Sequence, residues 1–274
     1  MMGLYITLGA LGVPALLYTF LVSPSGRRKK TAEFFADQKA YAHRGLHGNG
    51  VPENSLAAFE LACKAGYGIE LDVHVTADGK LVVFHDDTLA RMCGVDEKTE
   101  SKTLAELEAL TLGGTAEHIP SFKDVLSLVN GRAPLIVELK GTKINDVRVC
   151  ELTAQMLDGY TGKYCMEAFN PFYVRWWKKN RKDVVRGQLS SKMKKESSGK
   201  GSFTNFLLTN LMLSFLARPD FVAYDVNAKN QISFSFTRFL GGYPVGWTVR
   251  TEDDAAKAKG TFNAIIFENI KPEA

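Results

Sequence analysis

The sequence IELDVH, residues 69–74, sets the pattern for the fold, because apolar and polar residues alternate along it. In a β-strand successive side chains point to opposite faces, so Glu70 and Asp72 share one face while Ile69 and Leu71 share the other. Such a strand fits the wall of a barrel whose outer face is covered by helices. We therefore expect Glu70 and Asp72 to point into a barrel.

Strand-like segments recur along the chain with helical stretches between them, which predicts a parallel sheet covered by helices. The nine segments are one more than a (β/α)₈ barrel needs. Leu81–Phe84 follows the turn sequence Asp78-Gly79, so we expect it to form a hairpin arm rather than a barrel strand. The predicted fold is an α/β (β/α)₈ TIM-type barrel over residues 41–274. Its segments are Tyr41–His43, Ile69–Val73, Leu81–Phe84, Leu135–Leu139, Tyr164–Glu167, Val184–Leu189, Phe221–Tyr224, Val245–Val249 and Ala264–Phe267.

Capping residues predict three of the helices between these segments. Residues 86–120 are long for a connection between a strand and a helix, so we expect a small insertion above the barrel after its second strand. The predicted helices are Leu56–Ala65 with Ser55 before it and Gly66 after it, Leu104–Leu110 after Thr103, and Phe122–Val129 between Ser121 and Asn130.

The overall composition is that of an ordinary globular protein. The chain has 274 residues, of which 45% are hydrophobic and 23% charged, and its net charge is +4. It has no basic run interleaved with aromatic residues, so we expect no nucleic-acid partner. The four cysteines are widely spaced, which favours reduced, packed side chains over a zinc site or a disulfide framework.

The N-terminal segment is apolar enough to suggest a membrane anchor. Residues 3–22 carry no charge and would form a helix about 30 Å long, which is one hydrocarbon thickness. The basic cluster Arg27–Lys30 follows it, which favours a cytoplasmic catalytic domain behind a single-pass anchor. The expected division is an anchor over residues 1–23, a basic linker over 24–40 and the barrel beyond. A cleaved signal peptide is the alternative.

A second apolar segment, residues 203–216, follows a basic loop over residues 190–201. It is short for a membrane span and could be a barrel helix with a broad buried face. Alternatively, the loop leaves the C-terminal end of a strand on the active-site face. Its lysines and the aromatic residues after them could then dock that face onto anionic membrane lipid.

Carboxylates at neighbouring strand ends predict a metal site. Glu138 recurs in the same alternating pattern as Glu70 and Asp72, and its neighbour Lys140 shares its face. Three inward carboxylates are a suitable set of oxygen ligands for Mg²⁺ or Ca²⁺. The alternative is a set of inward ion pairs, such as Glu138 with Lys140 and Asp72 with Arg44.

Two histidines accompany these carboxylates. His43 and His85 each follow an apolar run and precede a turn-like sequence, which places both at the rim where barrel enzymes keep their catalytic residues. Imidazole changes charge near neutral pH, so the pair suits general acid and base chemistry. His74 is in register with Glu70 and Asp72 and could join the site.

Taken together, these residues resemble the glycerophosphodiester phosphodiesterase family from Tyr41 to the C-terminus. That resemblance implies a TIM-type barrel that hydrolyses glycerophosphodiesters to sn-glycerol 3-phosphate and an alcohol with one divalent cation, Mg²⁺, Ca²⁺ or Mn²⁺. The residues that carry it are His43-Arg44-Gly45, Pro52-Glu53-Asn54-Ser55, Glu70-Leu71-Asp72-Val73, Asp78-Gly79, His85-Asp86 and Glu138-Leu139-Lys140.

The resemblance also implies roles for single residues. His43 and His85 would be the acid and base, and Arg44 and Lys140 would neutralise phosphate charge. The implied metal ligands are Glu70, Asp72 and Glu138. Trp247 matches an aromatic residue near the glycerol, and Glu53 is implied either as a further ligand or as a support for Arg44. The chain departs from the family at residues 267–269, FEN, where Thr-Asp is usual.

Two other functions remain open on the sequence. The apolar segment 203–216 would suit a lysophospholipase D that acts on lysophospholipids at a membrane. A membrane-tethered module that binds phosphodiesters without catalysis is disfavoured, because both histidines and all three carboxylates are present.

Overall fold

The computed structural model describes residues 2–192 and 202–273, with the side chains of residues 12–192 and 203–273. Within them, eight parallel strands form a closed barrel, as predicted: the first strand pairs with both the second and the last. In chain order the strands are β1 (Ala40–His43), β2 (Gly68–Val75), β3 (Leu81–Val83), β4 (Leu135–Leu139), β5 (Tyr164–Ala168), β6 (Arg186–Ser190), β7 (Phe221–Asp225), β8 (Tyr243–Val249) and β9 (Ala264–Phe267).

The ninth strand is a hairpin arm, which confirms the prediction for this segment. Strand β3 pairs with the end of β2 in antiparallel fashion, with Val83 opposite Val73. The turn between them leaves no room for a crossover, so β3 cannot take a place in the parallel barrel. It carries the chain back toward the middle of β2.

Helices cover the barrel in the gaps between its strands. They are α1 (Met2–Val22), α2 (Arg28–Phe34), α3 (Leu56–Ala65), α4 (Ala90–Cys93), α5 (Leu104–Glu108), α6 (Phe122–Val129), α7 (Arg148–Leu157), α8 (Pro171–Asn180), α9 (Ser202–Thr209), α10 (Ser214–Ala217), α11 (Ile232–Phe239) and α12 (Glu252–Ala258).

The predicted caps are present at all three helices. The side chains of Ser55, Thr103 and Ser121 each accept a hydrogen bond from a backbone N–H in the first helical turn, which satisfies a donor that has no partner within the helix. Helices α3 and α6 have the predicted bounds. Helix α5 ends at Glu108, two residues before the predicted end.

Apolar side chains form one layer inside the barrel and another outside it. The inner layer contains Tyr41, Ile136, Phe221 and Val245, and the outer layer packs the strands against the helices. The predicted insertion lies within residues 86–120 and has a small core of its own, which includes Leu89, Leu107, Leu112 and Ile119.

The membrane location predicted from residues 3–22 is wrong. Among the residues that the structure describes, none belongs to a helix with both the length and the apolar character needed to cross a bilayer. The end of α1 packs on protein instead. The ring of Tyr18 stacks on Phe236 at 5.7 Å, and the guanidinium of Arg218 lies 4.7 Å from the ring centre of Phe20.

Residues 24–40, predicted to be a linker, contain α2 and bind the barrel. Arg27 Nε donates to Asp220 Oδ1 at 2.8 Å, and Arg186 Nη1 lies 3.5 Å from the other oxygen of that carboxylate. Phe35 is fully buried at the N-terminal end of the barrel, where its ring lies 5.1 Å from Tyr243 and 5.5 Å from Phe221. This segment therefore closes the end opposite the predicted site.

The apolar segment 203–216 forms α9 and α10 rather than one long helix. Leu208 and Leu211 are buried against the barrel, whereas Phe203 is 74% exposed and Phe206 is 54% exposed. Residues 193–201 of the preceding basic loop lie outside the described residues. Contact of this surface with lipid stays a prediction.

We predict that Phe35→Ala lowers the free energy of unfolding by about 3–5 kcal/mol, because it leaves a cavity where the barrel is closed. Phe34→Ala is the matched control, since Phe34 is only half-buried, and it should cost clearly less. Chemical denaturation followed by circular dichroism measures both. Equal costs for the two variants would contradict the role given to Phe35.

Candidate active site

The register of the strands brings the predicted site residues together at one end of the barrel. His43 on β1 lies opposite Glu70 on β2, and Asp72 on β2 lies opposite Glu138 on β4. Glu138 lies opposite Glu167 on β5. His43, Glu138 and Glu167 lie at or next to the C-terminal ends of their strands, and the register aligns Glu70 and Asp72 with them. This is the end where barrel enzymes carry their active sites.

Glu70, Asp72 and Glu138 form a buried acidic cluster. An oxygen of each carboxylate lies within 4.8 Å of an oxygen of the other two. Burial raises the pKa of Glu70 well above its ordinary value, and repulsion from Asp72 and Glu138 adds to the rise. Burial also raises the pKa of Glu138 by more than Lys140 lowers it. Closely spaced oxygen ligands of this kind suit Mg²⁺ or Ca²⁺, so the cluster can bind a divalent cation.

Both ion pairs predicted from the sequence as the alternative to a metal site are present. Lys140 Nζ lies 2.7 Å from Glu138 Oε1 and 3.1 Å from Asp72 Oδ1, and Arg44 Nε lies 3.7 Å from Asp72 Oδ2. Glu70 differs, because no lysine or arginine forms an ion pair with it in the described part of the chain. The ion pairs therefore leave part of the negative charge of the cluster uncompensated.

A tight turn after β1 points a backbone donor at the cluster. Arg44 and Gly45 have φ values of 57° and 81°, and the backbone N–H of Arg44 donates to Glu70 Oε2 at 3.0 Å. A Cβ atom on Gly45 would lie 2.8 Å from the Cβ of Ala58. Only glycine fits this position, which explains the glycine of the His-Arg-Gly sequence.

The loop before α3 supports Arg44 and Asp72. Glu53 Oε1 accepts hydrogen bonds from Arg44 Nη1 at 2.7 Å and from Arg91 Nη2 at 2.6 Å. Asn54 Nδ2 donates to Asp72 Oδ2 at 2.8 Å. Of the two roles implied for Glu53, the geometry matches support of Arg44, because Glu53 lies outside the three-carboxylate cluster.

His43 is held by a carboxylate from the last barrel strand. Its Nδ1 lies 2.9 Å from Glu268 Oε2, while its Nε2 lies 3.9 Å from Glu70 Oε2. Burial lowers the pKa of His43 to about 4, although the hydrogen bond with Glu268 opposes this shift. The same hydrogen bond lowers the pKa of Glu268 to about 2. The tautomer that donates from Nδ1 leaves the Nε2 lone pair facing the cluster.

His85 has a similar carboxylate partner, reached through the hairpin. The backbone N–H of Phe84 donates to the carbonyl of Asp72 at 3.0 Å, which brings the next residue level with the cluster. His85 Nδ1 lies 2.7 Å from Asp86 Oδ1, and Arg91 Nε donates to Asp86 Oδ2 at 2.6 Å. Burial raises the pKa of Asp86, but these hydrogen bonds outweigh it and hold the pKa well below its ordinary value.

His74 lies beneath the site rather than in it. Its side chain is fully buried, and Nε2 lies 3.3 Å from the carbonyl oxygen of His85. Burial lowers its pKa. The residue therefore supports the backbone that carries His85.

A small pocket of about 70 Å³ joins these residues. Its lining includes the charged and titratable side chains His43, Arg44, Glu70, His85, Glu138 and Lys140. Leu189, Trp247 and Phe169 are apolar parts of the same lining, with the two aromatic rings edge to face at 5.6 Å. Glu167 and Arg250 also line the pocket. A phosphate group and one small substituent are the size of ligand that such a pocket suits.

A larger groove of about 490 Å³ opens beside this pocket and shares His85, Glu138 and Lys140 with it. Its outer walls come from the loop after β4 and from α8, α9 and the turn after α9. The apolar side chains that line it are Leu139, Ile144, Phe169, Pro171, Tyr173, Leu208 and Leu213. A ligand that occupied both cavities would therefore meet charged side chains in the pocket and apolar side chains in the groove.

Sequence reasoning assigned no role to four residues that shape this site. Glu268 and Asp86 hold the two histidines, Asn54 holds Asp72, and Glu167 adds a fourth inward carboxylate. Glu167 could have been found, because it is a carboxylate in a strand-like segment, as Glu138 is. Glu268 gave no such signal, since its contact with His43 spans 225 residues and depends on closure of the barrel.

Curated relatives carry the name glycerophosphodiester phosphodiesterase. A *Bacillus altitudinis* protein of that name is 38% identical over 113 residues, which are 37% of this chain and 44% of that protein. Glycerophosphodiester phosphodiesterase 1 of *Bos taurus* is 24% identical over 90% of this chain and 82% of its own length. The chain spans about half the length of the bacterial relatives that it matches most strongly.

Solved structures share the fold. A phosphodiesterase of *Oleispira antarctica*, solved with its product sn-glycerol-3-phosphate, superposes with a TM-score of 0.71 at 23% identity, covering 86% of this chain and 94% of that one. A glycerophosphodiester phosphodiesterase of *Thermotoga maritima* gives 0.64 at 24% identity, covering 84% and 94%. The sequence model of the glycerophosphoryl diester phosphodiesterase family matches residues 43–270. The chain therefore belongs to the glycerophosphoryl diester phosphodiesterase family.

Proposed function

We propose that this protein hydrolyses glycerophosphodiesters to sn-glycerol 3-phosphate and an alcohol, using one divalent cation and the histidine pair. The observation that carries the proposal is a single pocket lined by both histidines, by two carboxylates of the three-carboxylate cluster and by cationic side chains. These residues are His43, His85, Glu70, Glu138, Arg44, Lys140 and Arg250. Each histidine has a carboxylate behind its Nδ1 atom. Family membership and the product named for the *Oleispira antarctica* enzyme support the same reaction.

Glu70, Asp72 and Glu138 are the residues that would hold the cation, and Mg²⁺ or Ca²⁺ fits their oxygen atoms best, with Mn²⁺ as a further candidate. When bound, such an ion neutralises negative charge on the phosphate and on the leaving oxygen. Asn54 fixes the orientation of Asp72, and the backbone N–H of Arg44 fixes that of Glu70. The ligand set is therefore oriented before any ion binds.

Arg44 and Lys140 supply the remaining positive charge around the phosphate. A phosphodiester is an anion, so an attacking oxygen approaches it only when nearby groups compensate its charge. Glu53 and Asp72 hold the Arg44 guanidinium, and Glu138 and Asp72 hold the Lys140 ammonium. Both cations thus need little reorganisation when a phosphate arrives.

The two histidines move protons at opposite ends of the reaction. One accepts a proton from the attacking oxygen, and the other donates a proton to the leaving alkoxide. Glu268 and Asp86 orient the rings through Nδ1, which keeps each Nε2 available for this transfer. Positioning of this kind is the usual role of a carboxylate behind a catalytic histidine.

The apolar groove favours a second candidate substrate, a lysophospholipid, which would make the enzyme a lysophospholipase D. The groove starts at His85, Glu138 and Lys140, so a chain lying in it would be continuous with a phosphate in the pocket. Apolar side chains from α8, α9 and the loop after β4 would cover the hydrocarbon. Glycerophosphocholine has no group long enough to use this surface.

We predict that His43→Ala and His85→Ala each lower kcat by about 10²–10⁴-fold, because each variant removes a proton carrier. The measurement is release of sn-glycerol 3-phosphate from glycerophosphocholine, with cation binding followed by calorimetry to show that the metal site is intact. His118→Ala is the control, since His118 is exposed on the insertion. A near-normal rate in either variant would remove that histidine from the mechanism, and inactivity of the wild type with Mg²⁺, Ca²⁺ and Mn²⁺ would favour a silent binding module.

We predict that EDTA abolishes activity and that Glu70→Gln and Asp72→Asn each weaken cation binding by at least about tenfold. Each substitution keeps the size of the side chain but removes an anionic ligand. Titration calorimetry with Ca²⁺ or Mn²⁺ measures the affinity, and the exposed Glu108→Gln serves as the control. Full activity in EDTA after exhaustive dialysis would argue against a metal.

We predict that Ile144→Ser and Leu213→Ser together lower kcat/KM for a lysophosphatidylcholine by about tenfold, because they reduce the apolar area that covers its chain. The rate on glycerophosphocholine should not change. Ile232→Ser is the matched control, since Ile232 is 80% exposed on α11. The assay follows lysophosphatidic acid below the critical micelle concentration of the substrate. Equal losses on both substrates would contradict the assignment of the groove.

A further inference from the structure

Glu167 is a buried carboxylate that the mechanism does not use. Its residue is 1% exposed, and its Oε2 atom is buried without a hydrogen-bond partner. Among the described residues, no lysine, arginine or histidine forms an ion pair with it. Burying a carboxylate without a hydrogen-bond partner costs folding free energy, which suggests that a bound ligand supplies the partner.

The position of Glu167 points it into the small pocket. It lies directly opposite Glu138 in the β4–β5 register and faces the same interior. Leu189, Trp247 and Phe169 line the same pocket and give it apolar walls. A ligand here would therefore have carbon atoms against the walls and a polar group against the carboxyl.

The metal cluster does not account for Glu167. Oxygen atoms of Glu70, Asp72 and Glu138 lie mutually within 4.8 Å, and Glu167 is outside this group. On the neighbouring strand β6, the residue opposite Glu167 is Gly187, which has no side chain that could form a hydrogen bond with it. The partner of Glu167 is thus neither a protein group nor the shared cation.

A hydroxyl group suits Glu167 better than a cationic group does. Arg44, Lys140 and Arg250 line the same small pocket as Glu70 and Glu138, so a substrate ammonium would compete with three cationic side chains for these carboxylates. A neutral hydroxyl meets no such competition and forms a hydrogen bond with a carboxyl group in either protonation state. A polyol fits both features, since its carbon faces are apolar and its hydroxyls are polar.

We propose that Glu167 binds the free hydroxyl groups of the glycerol unit of the substrate, which makes it a determinant of specificity for glycerol phosphates. The inference rests on the proposed function for the identity of the ligand. A buried group that needs a hydroxyl partner rejects an analogue without one, because the group then stays unpaired in the complex. Glu167 therefore selects the glycerol side of the diester, whereas the groove contacts the rest of the substrate.

The test compares two phosphate monoesters that differ in their hydroxyl groups. Titration calorimetry in Mg²⁺ measures the binding of sn-glycerol 3-phosphate and of ethyl phosphate to the wild type and to Glu167→Leu, Glu167→Gln and Thr153→Val. Leucine removes hydrogen bonding, whereas glutamine retains it. Thr153 is the control, because its hydroxyl is also buried without a partner but lies on α7 outside the barrel.

We expect the wild type and Thr153→Val to bind sn-glycerol 3-phosphate about 10–100-fold more tightly than ethyl phosphate. Glu167→Leu should lose this preference while binding ethyl phosphate and Mg²⁺ normally, and Glu167→Gln should keep most of it. Leucine replaces an unpaired buried carboxylate, so the variant should be at least as stable as the wild type. Circular dichroism and thermal unfolding check that it folds.

Three results would overturn the inference. One is a wild type that does not distinguish the two monoesters. Another is a Glu167→Leu variant that still prefers sn-glycerol 3-phosphate. The third is a Glu167→Leu variant that also loses binding of Mg²⁺ and of ethyl phosphate, which would mean that Glu167 contacts the metal or the phosphate instead. Because the readout is binding, a wild type that prefers sn-glycerol 3-phosphate but hydrolyses no glycerophosphodiester would defeat the proposed function and leave this result standing.

Discussion

Repulsion among inward-facing carboxylates is the constraint on which the site depends. A closed barrel turns alternate side chains of every strand toward one interior, and the register sets Asp72 beside Glu138 and Glu138 beside Glu167. Apolar residues at the same positions would make a more stable barrel, because burying charges costs more than burying hydrocarbon. The neighbouring Lys140 and Arg44 offset part of this cost. What remains is a site that would gain stability from a bound cation.

Closure of the barrel also determines the contacts of His43. His43 belongs to the first barrel strand and Glu268 follows the last, so their hydrogen bond exists only because β1 pairs with β9. His85 reaches the site through a hairpin, and its partner Asp86 is tied to Arg91 in the insertion. Formation of the hydrogen bond between His43 and Glu268 is therefore coupled to completion of the barrel. The segment around Phe35 assists by closing the opposite end.

Local sequence patterns correctly predicted the features that depend on residues close together in the chain. Alternation placed Glu70, Asp72 and Glu138 on strand faces, and the turn sequence Asp78-Gly79 identified β3 as a hairpin arm. The contact of His43 with Glu268 could not be predicted, because it depends on which strands become neighbours in space. The apolar composition of residues 3–22 predicted a membrane anchor, whereas the structure shows Tyr18 and Phe20 in contact with Phe236 and Arg218, which are distant in the sequence.

The division between pocket and groove follows from where their residues are held. The pocket side chains come mostly from barrel strands, whose backbones are fixed on both sides by hydrogen bonds, so their geometry tolerates little change. The groove is walled by a loop and by short helices such as α9, which can change length and sequence without disturbing the strands. Under the proposed function, the residues for catalysis and phosphate binding are thus tied to the fold, while those that contact the larger substituent are not. Glu167 lies on the strand side of this boundary, and its unpaired carboxyl is best understood as recognition built into the barrel itself, at some expense of stability.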